Sequence, residues 1–290
     1  MLPVVMALAV SAAAAQTLDR VAESGTFKIG YREDARPFSF KDGTDTPHGF
    51  AIELCRKIAA DVKAKLGLAE LTVDYVPMST NGRFQAVADG WADILCGASS
   101  VTLARRELVS FSIPVFQTGI SPVMRADAPS FLRDILAKRK SKLPPRTALM
   151  QAFTKRTFGV RARTTAEIWL KEQIKTLASD AQLVTVDGHG EGLRQVAEGT
   201  LDAYFADRAI LLGLVTAGDT PDEFVIGENL YSHETYGLAL AKNDDDFRLL
   251  VDSSLSRLYR SPEFEPVFTR YFGKPGPAVL LRYQTIALPE

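Results

Sequence analysis

At 290 residues the chain has room for one large domain or two modest ones, each with its own core. Its 46% hydrophobic and 24% charged residues are the composition of a soluble globular protein, not of a disordered or fibrous one. Lys+Arg 34 against Asp+Glu 35 leaves a net charge of −1, which gives no ground for nucleic acid or anionic membrane as a partner; recognition by charge must be local.

The first fifteen residues, MLPVVMALAVSAAAA, are uncharged and end in small residues before Gln16. They read as the apolar stretch and cleavage site of a secretory signal peptide, too short to span a bilayer comfortably. The basic stretch that should precede them is missing, as expected of a start codon placed too late or a trimmed sequence; a buried N-terminal strand is the competing reading. No later run approaches the roughly 18 continuous apolar residues of a membrane span, so a soluble, exported mature protein is expected.

From Phe27 onward strands and helices alternate. FKIGYR is a short strand, followed by a loop holding Pro37 and Gly43. Residues 49–66 set Ile52, Cys55, Ile58, Ala59, Val62 and Leu66 at helical spacing. LTVDYVP is the next strand, GRFQAVADG a helix ending at a glycine, and ADILCGA a buried strand. This order implies a parallel sheet with helices on its faces. After SFSIPVF a second set begins at GISPVMRAD. The strand FGVRA, the helix TTAEIWLKEQIKTLA, the strand QLVTVDG, a helix ending in EGT and the strand LDAYFAD repeat the unit. Two α/β lobes joined by extended stretches follow from this repetition. The charged segment DAPSFLRDILAKRKSKLPPRT is expected as an exposed excursion of the second lobe. From Tyr236 the chain gives another strand, GLALAK, and two amphipathic helices, DFRLLVDSSLSRLYRS and EFEPVFTRYFG.

The stretch CGASSVTLARRELVSFS places small hydroxyl residues and Arg105–Arg106 directly behind a buried strand. Such a strand end can be a solvated loop or an anion site. In open α/β sheets ligands bind outside the carboxyl ends of the strands, and Arg32, Thr80, Thr164, Thr165, His189 and Asp207 stand at such ends too. No dinucleotide, phosphate-loop, zinc-protease or serine-hydrolase motif is present. His48, His189 and His233 are too scattered for a metal site, and neither metal nor cofactor is expected. Cys55 and Cys96, the two cysteines, have no zinc spacing; in an exported chain they are free to pair, but their sequence positions alone do not decide it.

Four motifs in order carry a resemblance: Gly49, Phe50, Glu53 and Leu54; then Thr102, Arg105, Val109, Phe111 and Ser112; then TTAE; then EGTLDAYFAD. From about Val21 to Gly273 the chain resembles the family 3 periplasmic solute-binding proteins of amino-acid ABC transporters. It is most similar to the glutamate/aspartate-binding branch, through YRE (Arg32), TNGR (Thr80, Arg83), CGAS and HGEG (His189). The resemblance implies an α/β, two-lobed type II "Venus flytrap" with two crossing strands as hinge. The implied limits are 1–15 for the signal peptide, 16–117 and 234–273 for lobe 1, 118–233 for lobe 2 and 274–290 for a C-terminal tail.

It also implies roles. Arg105 would grip the ligand α-carboxylate, for which a bidentate guanidinium is suited, with Ser100 and nearby amides completing the nest. Thr165 would add its hydroxyl and helix N-terminal amides, unless it or Thr164 is simply the helix cap. Asp207 would pair the ligand ammonium, or else cap the next helix. Arg32, Arg83 and His189, with Thr80, would surround the distal carboxylate of an acidic ligand, and Arg106 would face solvent. Cys55 and Cys96 match a cysteine pair of that branch. Ala98 stands in place of a serine, Arg163 replaces a glycine before the threonine pair, and PPRTALMQAFTKRT replaces the usual segment before the lobe-two strand.

The function implied is capture of glutamate or aspartate in the periplasm by a monomer that delivers it to a membrane permease. Cyclohexadienyl dehydratases resemble the same fold, and that chemistry needs a general acid in the cleft, with Glu33 and Glu191 as candidates. A sensory module would need a fused signalling or transmembrane segment, and none is expected.

Overall fold

The apolar alternation ahead of Gly30 folds as the strand Thr26–Tyr31, with Phe27, Ile29 and Tyr31 buried. The computed structural model describes residues 16–137 and 144–289, so the expected signal segment lies outside the described residues. Thr26–Tyr31 pairs in parallel with Thr72–Pro77 on one side and Ile94–Cys96 on the other. Tyr31 stands opposite both Pro77 and Cys96, so these strands end level and open onto one edge. The returning Ala239–Leu240 pairs antiparallel to Ile94–Cys96, and Ser110–Phe111 pairs antiparallel to it in turn, giving a five-stranded sheet. The helix Phe50–Lys65 buries Ile52, Cys55, Ile58, Ala59 and Val62 against it, the face its spacing foretold.

A second five-stranded sheet is centred on Ala203–Asp207, with Thr157–Arg161 parallel beside it and Gln182–Val186 parallel to that at the edge. Ile120–Arg125 and Phe224–Ile226 extend it antiparallel. Phe158 and Phe205 meet edge to face at 5.4 Å within its core. The chain crosses between the two sheets along Phe116–Thr118 and Glu234–Tyr236, an antiparallel pair with Tyr236 opposite Phe116. The architecture is therefore α/β and two-lobed, with the sequence-predicted crossing strands as the connection.

Two segments differ from expectation. The charged excursion after Asp127 is in part a folded element: the helix Ser130–Leu136 buries Leu132, Ile135 and Leu136 and packs near the helix Arg146–Phe153. Its apolar residues recur at helical spacing, but the surrounding charge masks them; residues 138–143 lie outside the described residues. The segment read as a C-terminal tail contains the helix Pro277–Ile286, started by a proline in its first turn. Its Tyr283 is buried 4.3 Å from the Phe264 ring, and its hydroxyl donates to the Val115 carbonyl at 2.7 Å. Cys55, on the helix Phe50–Lys65, and Cys96, at the end of its strand, form a disulfide with Cα atoms 6.4 Å apart. Among the described residues no helix is long and apolar enough to cross a membrane.

Candidate functional site

The facing strand ends of the two sheets enclose a cavity. Of the residues singled out in the sequence, Arg32, Arg83, Ser100, Arg105, Thr165, His189 and Asp207 line it. Thr80 does not, but its carbonyl accepts a hydrogen bond from Arg83 Nη1. Ala98, in the position of the branch's serine, is part of the wall.

One end is built around Arg105. The chain leaves the strand Ile94–Cys96, and Thr102 caps the short helix Leu103–Arg106 by accepting from the Arg105 amide at 3.2 Å. Arg105 Nη1 donates to the Ser100 carbonyl at 2.7 Å, while Arg106 is exposed. The Phe84 ring underlies two cations, with its centroid 4.5 Å from the Arg83 guanidinium carbon and 5.0 Å from that of Arg105.

Thr164 caps the helix Thr165–Thr176, accepting from the Glu167 amide, and leaves Thr165 free to point elsewhere. The Thr165 hydroxyl donates to the Glu234 carboxylate at 2.8 Å, and the Ser100 hydroxyl donates to the same carboxylate. Sequence reasoning missed Glu234, because a carboxylate in an extended crossover carries no motif.

Asp207 sits at the start of the helix Arg208–Ala217 but makes no capping hydrogen bond. Its Oδ1 is buried without a hydrogen-bond partner, as is the nearby Tyr236 hydroxyl. Burial, and then the Glu234 charge, push the Asp207 carboxyl up to about 7, against the pull of the Arg105 charge. Arg105 is pushed down by burial and steadied by Glu234 and Asp207. This end therefore has its cation facing two carboxylates.

The other end is richer in cations than the sequence suggested. Arg161, the last residue of the strand Thr157–Arg161, is buried and lines the cavity beside Arg32, Arg83 and His189. It reaches across the cleft to the Asp34 carboxylate at 2.7 Å, which also accepts from Arg32 at 3.1 Å. Asp34 is lowered: burial pushes it up, but Arg32 and the hydrogen bond and charge of Arg161 outweigh that. Burial and Arg161 push Arg32 down to about 10, with Asp34 pulling the other way. Burial beside Arg105, Arg32 and Arg161 pushes Arg83 down to about 8. That shift reflects the cost of a buried cation among other cations, which an anion beside Arg83 relieves.

His189 opens the helix His189–Ala197, its amide donating to Asp34 at 3.4 Å and its Nδ1 lying 2.9 Å from the Tyr204 hydroxyl. Burial and the Arg161 charge push its imidazole down to about 3, so it is neutral at physiological pH. Gly192 allows this arrangement, since a Cβ there would stand 2.3 Å from the Tyr204 ring. Arg163, the substituted glycine, is exposed and lies outside the cavity wall; it keeps the positive φ of 60° that favours glycine. The extra cation is its neighbour two residues earlier.

The two acids considered for a dehydratase do not line the cavity. Glu33 is exposed, and Glu191 is held below its usual range by hydrogen bonds from Gln195 and Arg194. The carboxyl with a raised pKa in the cleft is Asp207, opposite an arginine.

Residues 27–274 match the bacterial extracellular solute-binding proteins, family 3, and the chain belongs to that family. It is a solute-binding protein rather than an enzyme. It is 28% identical over 263 residues to the L-glutamate/L-aspartate-binding protein of Pseudomonas aeruginosa, covering 90% of this chain and 81% of that one. It is 27% identical over 283 residues to the glutamate/aspartate import solute-binding protein of Escherichia coli, covering 94% and 88%. Among solved structures, a mutant of the T. maritima protein ArgBP superposes with TM-score 0.73 at 23% identity, covering 89% of this chain and 99% of that one. An ancestral amino-acid-binding protein, described as a precursor of cyclohexadienyl dehydratase, matches with TM-score 0.73 at 24% identity, covering 89% and 100%. These two establish the fold.

Proposed function

We propose that the protein captures an acidic L-amino acid, glutamate or aspartate, between its lobes in the periplasm and delivers it to an ABC-transporter permease. The observation that carries this reading is the segregation of charge within one cavity: Arg105 with Asp207 at one end, and Arg32, Arg83 and Arg161 at the other. Arg105 and the unpartnered first amides of the helix Thr165–Thr176 grip the α-carboxylate. The Ser100 and Thr165 hydroxyls reach it only by sharing with or releasing Glu234. Asp207 takes the ammonium, and the distal carboxylate meets Arg32, Arg83 and neutral His189, with Thr80 holding Arg83 in place. The curated relatives, named for glutamate and aspartate, support the same ligand class. The mature chain is exported by a cleaved signal peptide and acts as a monomer, with 16–117 and 234–273 as lobe 1 and 118–233 as lobe 2.

A thermal-shift screen of the twenty amino acids tests the reading. L-glutamate or L-aspartate at 100 times its dissociation constant stabilises the protein by about 2.7 kcal/mol. A flat response to both, with a shift for a basic amino acid, contradicts it.

Asp207 adds a pH signature. Below about 7 the empty site holds this carboxyl protonated, whereas a bound ammonium requires the carboxylate. Glutamate binding at pH 6 therefore expels a proton, and affinity rises with pH up to about 7 and then levels. Calorimetry in buffers of different ionisation enthalpy reads the released proton, which Asp207→Asn abolishes. Heats independent of buffer at pH 6 contradict the pairing. In the ligand-free protein the sign is opposite: native Asp207 holds its proton where the unfolded chain has lost it, so stability from this group declines as pH rises from about 4 to about 7.

A further inference from the structure

Building on that acidic-amino-acid reading, we propose that the distal end of the site is matched to a doubly charged phosphoryl group, so that its favoured ligand is an amino acid whose side chain ends in phosphate or phosphonate. The ground is an unanswered surplus of buried cation. Arg32, Arg83 and Arg161 are only 6%, 4% and 5% exposed and line one cavity. Asp34 serves two of them at once, at 3.1 Å from Arg32 and 2.7 Å from Arg161. Arg83 has no carboxylate partner among the described residues and rests on the Thr80 carbonyl. Arg83 Nε and Arg161 Nε are both buried without a hydrogen-bond partner, and so is Thr80 Oγ1. An orphaned charge-bearing donor in such a setting is strongly unfavourable until an anion meets it.

Three guanidinium charges against the single charge of Asp34 leave two to be answered by the ligand. A carboxylate answers one. A phosphoryl group carries about −1.5 to −2 near neutral pH and presents three strong acceptor oxygens, enough to answer both charges and reach the unpartnered N–H groups. His189, being neutral, adds a polar contact without further charge. Arg161 is the residue that creates the surplus, because without it Asp34 would pair with Arg32 alone and leave one cation for one carboxylate. The opposite end, where Arg105 faces Asp207 and Glu234, stays suited to the zwitterionic head of an amino acid. The span is right as well: O-phospho-L-serine places phosphorus where L-glutamate places its distal carboxyl carbon.

Calorimetric titration with four probes at pH 8 tests this: O-phospho-L-serine, its phosphonate counterpart L-2-amino-4-phosphonobutanoate, L-serine O-sulfate and L-glutamate. The sulfate has the same tetrahedral shape with one charge, so it separates charge from shape. O-phospho-L-serine should bind at least about tenfold tighter than both the sulfate and glutamate. The phosphonate shows whether the ester oxygen or the phosphoryl dianion alone matters; binding at the phosphoserine level supports the dianion. Arg161→Gln should shrink the phosphoserine-to-glutamate ratio to within about threefold, and Asp34→Asn, which removes the competing carboxylate, should widen it. If Arg161→Gln fails to fold, the wild-type series and Asp34→Asn still decide. Glutamate or the sulfate matching phosphoserine overturns the proposal while leaving the acidic-amino-acid reading intact. Binding of none of the four overturns the proposal, and the acidic-amino-acid reading falls with it when L-aspartate also gives no heat.

Discussion

Arg105→Ala should weaken L-glutamate, L-aspartate and L-glutamine alike, by at least about 3 kcal/mol, because each presents the same α-carboxylate and would leave it buried and unpaired. The guanidinium also braces the turn after the strand Ile94–Cys96 through the Ser100 carbonyl, so the variant loses both the charge and part of the mount. Arg83→Ala should behave differently. Its charge lies at the distal end, where only a ligand with a second anion meets it, so its loss should narrow the gap between glutamate and glutamine. Calorimetry on the two variants with the two ligands supplies the comparison. Equal losses for glutamate and glutamine in Arg83→Ala would make Arg83 a lobe-stabilising residue that supports Phe84 and Thr80 rather than a selecting one.

Removal of the disulfide should cost about 4 kcal/mol, since Cys55 and Cys96 lie 41 positions apart and loop-closure entropy grows with that span. Both cysteines are buried, joining the main helix of lobe 1 to its central sheet, so reduction also loosens the packing between the two. The Cys55→Ala/Cys96→Ala chain should show a urea midpoint well below that of the oxidised protein and insensitive to reductant. Two titratable thiols in protein taken from the periplasm without reductant would contradict the bridge in the native setting.

Most of the fold was legible because its elements obey simple periods. The burial of Ile52, Cys55, Ile58 and Val62 follows directly from helical spacing, and the strand Thr26–Tyr31 from alternation. The helix Ser130–Leu136 escaped because charge outweighed a short apolar pattern, and the helix Pro277–Ile286 because it buries little beyond Tyr283. At the site, Arg32, Arg83, Arg105, His189 and Asp207 line one cavity, but the cross-cleft partners carry no sequence signal. Asp34 and Glu234 act through contacts with Arg161, Ser100 and Thr165, over sequence separations of 127, 134 and 69 residues. Arg161 had a usable signal: the strand-end rule that picks Arg32 after FKIGY also picks Arg161 in FGVRA. Arg163, two residues on, departs more conspicuously from glycine, but its side chain is exposed.

The cavity between the lobes should hold an amino acid with an anionic side chain. Titration of L-glutamate and L-aspartate into ligand-stripped protein by calorimetry tests it most directly, with L-glutamine and L-arginine as comparisons. The expected result is one ligand per chain at a dissociation constant of about 1 μM or tighter for an acidic ligand, and binding at least about tenfold weaker for glutamine and arginine. Absence of heat with both acidic amino acids, alongside tight binding of arginine or glutamine, would contradict the account.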